Sequence, residues 1–258
     1  MLDERWIRSL HVEALREEDL HAEAHVLFQA STIAALLDGA YDGDLSFDEL
    51  AEHGDLGLGT LNGLDGEMIA LDGRFYRADV DGRVGEIDGG ARTPFAVVTR
   101  FGATLDERIE GPLDHEDLLS RLDALIPATA PSCAIRLDGH FDLVRARSVP
   151  CQSPPYRPLA EVIGEQHVFE LADVSGTMLG FRFPAYAEGI EVAGFHLHFV
   201  DDARERGGHV LGSRSNGLRA RLDPSSDLHV ELPPGVELGD PGLAAETHAA
   251  VERVEHSG

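Results

Sequence analysis

The chain has 258 residues, 43% hydrophobic and 26% charged, an ordinary globular composition that excludes general disorder. Asp and Glu total 47 against 21 basic residues, every one of them arginine, so the net charge is −26. Such a chain repels nucleic-acid phosphates and anionic lipid heads, and no run approaches the roughly 20 apolar residues of a membrane span.

Residues 1 to 24 read as a polar, acidic lead-in. Met1 to Trp6 hold no basic region before an apolar run, so a secretory signal is not expected and a cytoplasmic location is. The acidity fits either a very soluble surface in an arginine-rich coding background or a protein from a salt-rich cytoplasm, where screening removes self-repulsion. Cys133 and Cys151 are too few for a disulfide framework and read as small buried side chains.

At His25–Gln29 the chain turns apolar, like a short strand. Ser31 or Thr32 caps a short helix through Leu37, closed by Gly39. Ser46-Phe47-Asp48-Glu49 fits a capping box that opens a second short helix ending at Gly54. From Gly57 to about Phe101, short strands alternate with turn signals, and Asp65-Gly66, Asp72-Gly73 and Asp81-Gly82 favour tight hairpins. Residues 115–126 carry Leu118, Leu119, Leu122 and Leu125 at helical spacing. The Pro127 to Pro131 segment then breaks the pattern.

The second half repeats the grammar. A hairpin is expected around Asp138-Gly139, a short helix at Leu159–Ile163, strands from His167 to Pro184 and from Ile190 to Pro233, and a last helix over Leu243–Val254. The expected fold is α+β: two related domains, residues 25–130 and 131–258, built on largely antiparallel or mixed sheets with short helices.

The strongest chemical signal is Gly194-Phe195-His196-Leu197-His198-Phe199, followed by His209. Alternation along a strand puts His196 and His198 on one face and the apolar residues on the other. The polar, Gly-rich stretch Asp201–Gly208 suits a chain reversal that returns His209 beside the pair. Three imidazoles on one hairpin match a catalytic zinc site with an open fourth position. His53, His140, His167 and His229 have no such setting and read as structural or surface residues.

Three segments resemble signatures of the alpha-acetolactate decarboxylase family. They are Gly57-Leu58-Gly59-Thr60-Leu61-Asn62-Gly63-Leu64-Asp65-Gly66-Glu67-Met68-Ile69; Arg147-Ser148-Val149-Pro150-Cys151-Gln152 with Pro154-Pro155-Tyr156 and Pro158-Leu159; and Gly194–Phe199 with Gly208-His209-Val210. They occur in family order, and the similarity runs from about residue 25 to the C-terminus. The resemblance implies a two-domain fold, a zinc ion, often a homodimer, and conversion of 2-acetolactate to acetoin and carbon dioxide. It implies His196, His198 and His209 as zinc ligands, and Glu67 and Arg147 as active-site residues. It also implies Thr60 near the substrate and Glu255 as a second active-site glutamate, with Glu252 a competitor for that place.

These residue types suit the chemistry. Zn²⁺ serves as a Lewis acid for the charge that develops when carbon dioxide leaves, a carboxylic acid with a raised pKa delivers a proton to one face, and an arginine orients the substrate's oxygens. Read without the resemblance, Glu67 could face solvent after its Asp-Gly turn, Arg147 could be a surface cation beside Arg145, and Glu255 a solvated terminal charge. Two other classes compete. A cupin-like dioxygenase or isomerase also uses His-x-His and a later His, but usually adds a glutamate where this chain has Asp202. A non-catalytic module would use zinc as a staple, yet structural zinc usually takes four Cys or His ligands.

Overall fold

The computed structural model describes residues 25–232. The lead-in, the expected helix over 243–254, Glu252 and Glu255 lie outside those residues. Strand β1 (Val26–Ala30) leads into helix α1 (Ile33–Leu37), where the Thr32 hydroxyl accepts from the Ala35 backbone N–H. After β2 (Leu45–Ser46), Ser46 and Glu49 form a reciprocal capping box on α2 (Phe47–Ala51). Four strands follow: β3 (Leu56–Thr60), β4 (Glu67–Leu71), β5 (Arg74–Ala78) and β6 (Val84–Glu86). All three Asp-Gly pairs connect neighbours in this meander. Only Asp72-Gly73 places both residues at positive φ, +54° and +74°, as a type I′ turn requires.

The chain continues through β7 (Arg92–Thr93), β8 (Ala96–Thr99), β9 (Leu105–Ile109) and β10 (Leu113–Asp114) into α3 (His115–Leu125), which Asp114 caps. The long strand β11 (Ser132–Ser148), the short helix α4 (Leu159–Val162), and strands β12 (His167–Phe183), β13 (Gly194–Asp201), β14 (Gly207–Ser225) and β15 (Asp227–Glu231) complete the described fold. It is mostly β-sheet with a few short helices.

Two sheets dominate. The first has seven strands in the order β15-β1-β8-β3-β4-β5-β6, antiparallel except for the β1–β15 pair. In the second, β14 pairs with β11 and with β13, while β12 pairs with β11 and β13, so these four strands close on themselves. Strands β9 and β10 extend this sheet along β14, and β15 crosses back to the first sheet.

The sheets bury their facing surfaces in one apolar core, where Leu58, Ile69 and Val97 of the first join Leu179, Phe181 and Val200 of the second. Each such side chain contributes roughly 1.5–3 kcal/mol on leaving water. Phe47 and Leu50 of α2 cover the opposite face of the first sheet, and Leu118 and Leu122 of α3 pack on the second.

Two expectations are corrected. Asp138-Gly139 is not a hairpin, because β11 runs straight through it. The Asp138 carboxylate instead accepts from Arg136, Thr177 and Arg221, and the irregularity shows as a register shift between Gly139 and Phe141. Cys133 is buried as expected, on the interior strand β11, but Cys151, past the end of that strand, is exposed.

Candidate active site

The turn between β13 and β14 is held by Asp201, whose Oδ1 accepts from the backbone N–H groups of Glu205 (2.8 Å) and Arg206 (3.1 Å). That closure sets His198 opposite His209, and alternation puts His196 on the same face as His198. All three imidazoles are buried, and each offers a ligand nitrogen within 4.8 Å of the others. Their ring centroids lie 5.0–5.4 Å apart.

The first sheet orients this cluster. His198 donates its Nδ1 proton to the Met68 carbonyl on β4 at 2.8 Å. That bond leaves Nε2 as a bare lone pair, and in the described structure this buried atom makes no hydrogen bond. Burial, then the neighbouring His196 and His209 rings, holds the His198 pKa well below the usual imidazole range, so the ring is neutral. A neutral, buried imidazole with its second nitrogen pinned by a carbonyl is the form in which histidine ligates a metal. The three residues therefore fit a metal ion.

Glu67 and Arg147 lie beside the cluster. Arg147 sits on β11 in register with His209, and Glu67 opens β4 opposite Thr60 on β3. Arg147 Nη1 donates to Glu67 Oε1 at 3.3 Å, and Glu67 Oε2 lies 3.5 Å from His198 Nε2. Both side chains are buried, so Glu67 does not face solvent and Arg147 is not a surface cation. At 3.3 Å the pair is longer than the roughly 2.7–2.9 Å of a tight charge-assisted bond.

Thr60 and its neighbours hold the turn that delivers Glu67. The Thr60 hydroxyl donates to the Gly66 carbonyl at 2.8 Å, and the buried Thr93 hydroxyl lies 2.7 Å from the Thr60 carbonyl as donor. Within the turn, Gly63 adopts φ +68°; its N–H donates to Tyr41 O and its carbonyl accepts from Gln152 N. A side chain there would press to 2.9 Å of the Gln152 carbonyl. The segment after Arg147 is thus tied to the turn before Glu67.

These groups meet at one cleft. Thr60, Glu67, Arg147, His196 and His209 form its polar part, and Leu36, Val149, Leu159 and Ile163 are among its apolar walls. Of the predicted site residues, six of the seven fall within the described residues and converge here; Glu255 falls outside them. The other singled-out histidines lie elsewhere: His53 stacks on Phe28 at 3.6 Å, His229 on the same ring at 5.6 Å, and His140 and His167 are exposed beside Asp173 and Asp81. Sequence reasoning missed the Met68 carbonyl and Thr93. It also missed the apolar walls, for which the clustered Leu and Ile of α1 and α4 were the available signal.

Fold and cluster together define a class: a β-rich enzyme with a candidate three-histidine metal centre where two sheets meet. The alpha-acetolactate decarboxylase family profile matches residues 27–243. An alpha-acetolactate decarboxylase of Methylococcus capsulatus is 41% identical over 99% of both chains, and one of Methanosarcina mazei is 42% identical over 95% of this chain and 85% of its own. The crystal structure of alpha-acetolactate decarboxylase from Bacillus subtilis superposes with a TM-score of 0.84 at 36% identity, covering 89% of this chain and 99% of that one. The chain belongs to the alpha-acetolactate decarboxylase family and is an enzyme of the carboxy-lyase kind. Family membership sets aside the cupin-like and non-catalytic readings.

Proposed function

We propose that the enzyme converts 2-acetolactate to (R)-acetoin and carbon dioxide, with zinc held by His196, His198 and His209. The observation that carries the reading is the pinned, neutral His198 beside two further buried imidazoles, with the Glu67–Arg147 pair at its edge. Bound there, the ion would supply Lewis-acid stabilisation of the negative charge that develops as carbon dioxide leaves.

The chain's own residues do the rest. Arg147 orients the substrate by donating to its carboxylate or neighbouring oxygens, and its loose bond to Glu67 lets it exchange one acceptor for another. Breaking the bond to the carboxylate releases carbon dioxide and sends the electron pair toward the ketone. A proton must then reach one face of the carbon skeleton. Glu67, with Oε2 at the edge of the histidine cluster, is positioned to carry that proton, and Glu255 is the second candidate. Thr60 keeps the Glu67 turn closed while bordering the cleft. The apolar walls exclude water, which strengthens each of these electrostatic interactions.

The test is acetoin formation from racemic acetolactate, followed by chiral separation, with protein as purified, after chelation, and after zinc is restored. Turnover lost and regained with zinc supports the reading. A chelated protein that turns over at the full rate overturns its metal part, and no acetoin under any condition overturns the whole. A homodimer, proposed from the family resemblance, is checked by light scattering.

A further inference from the structure

The cleft combines polar groups with apolar lining. Its ionic and imidazole groups come from the sheets, whereas Leu36 of α1, and Leu159 and Ile163 at α4, add apolar surface without a single polar side-chain atom. Val149, two residues beyond Arg147, belongs to the same wall. These four side chains are 5–6% exposed. They are packed in place, so they present a fixed shape and not a mobile surface.

A 2-hydroxy-3-keto acid has a matching asymmetry. Its carboxylate, hydroxyl and ketone occupy one edge, and its alkyl groups project from the other. Once the oxygens face Arg147 and the histidines, the alkyl groups are left to the apolar lining, in which Ile33, Leu64 and Phe95 join the α1–α4 wall. We propose that Leu36, Val149, Leu159 and Ile163 form the alkyl subsite, which selects among 2-hydroxy-3-keto acids by the size of the group on the hydroxyl-bearing carbon. The inference rests on the proposed function and names the residues that set its substrate range. None of the four is a donor or acceptor in the Glu67–Arg147 bond or the His198–Met68 bond, so changing them removes no charged group.

Discrimination by an apolar pocket is worth roughly 10–200-fold per methylene. The experiment gives the zinc-loaded enzyme an equimolar mixture of the methyl substrate, 2-acetolactate, and its ethyl homologue, and reads the ratio of the two hydroxyketone products. A product ratio reports relative kcat/KM and is independent of how much of a variant is folded. Leu36→Ala and Ile163→Ala should each shift the ratio toward the ethyl substrate by roughly tenfold or more. Val149→Ile, which extends the wall into the cleft, should shift it toward the methyl substrate. Ratios that stay within about twofold of wild type in all three variants overturn the alkyl subsite, with the proposed function intact. A wild-type enzyme that decarboxylates neither substrate removes the proposed function, and the inference with it.

Discussion

Arg147 on one sheet and Glu67 on the other meet at 3.3 Å, and both are buried. Each ion is expensive to bury alone, and each compensates part of the other's cost. Removing one partner of such a pair typically costs about 3–5 kcal/mol, because the remaining charge loses that compensation. Arg147→Leu should therefore lower the denaturation midpoint and abolish carbon dioxide release. Adding Glu67→Gln to that variant should recover part of the stability and none of the activity. If the double variant is as unstable as the sum of the singles, the two residues are not coupled in the way their geometry implies.

Glu67→Gln alone separates charge from shape. The amide still fits beside Arg147 but can no longer carry a proton. If Glu67 delivers the proton, turnover should fall by roughly 10²–10⁴-fold while metal content stays at the wild-type level. Near-wild-type turnover would shift the role to Glu255.

Metal binding should also show as stability. An ion that binds only the folded chain adds about 4 kcal/mol when present at 1,000 times its dissociation constant. Zinc should thus raise the midpoint of the chelated wild type, and His196→Ala should lose that increment together with activity. An equal increment in the variant would place the ion elsewhere.

Features made by neighbours in sequence were legible before the structure. The Thr32 cap, the Ser46–Glu49 box and the alternation of His196 and His198 are each written within four residues. Features made by distant chain were not. Arg147 and Glu67 are 80 residues apart, and only the family resemblance brought them together; burial then settled a question their local sequence left open. Asp138-Gly139 carries turn chemistry, and what overrides it is Arg221 from the next strand, a partner no local pattern reveals. The Met68 carbonyl is backbone, so no side chain announces its hold on His198.

That same Asp138 has a measurable pH signature. Burial pushes its carboxyl pKa up, but the hydrogen bond from Arg221, the Arg136 charge and the Thr177 hydroxyl outweigh burial and leave the pKa lowered. A carboxyl with a lowered folded pKa adds stability above its unfolded value and loses it as pH falls through the folded one. The stability gap between wild type and Asp138→Asn should therefore be full near neutral pH and shrink through and below the ordinary carboxylate range. Denaturant midpoints at a series of pH values test this, and a gap independent of pH would show that the ion network contributes nothing through charge.

Salt should stabilise this enzyme, and the sign follows from which charges outnumber which. The exposed ion pairs, such as Arg74–Glu86, Arg108–Glu110 and Arg219–Asp106, weaken as salt screens them. Pairs of that kind are worth about 0–1 kcal/mol each, so their loss is small. Against them stands a net charge of −26 on 258 residues, 47 of them acidic. Screening shortens the reach of that repulsion from about 10 Å at 0.1 M salt to about 3 Å at 1 M. Relief of repulsion outweighs loss of a few surface pairs, so the melting temperature should climb from low salt to molar potassium chloride. The gain should be largest at neutral pH and fade as acid neutralises the carboxylates. A melting temperature that is flat or falling with salt at neutral pH would mean that the acidity serves solubility alone and that the folded chain carries little net repulsion.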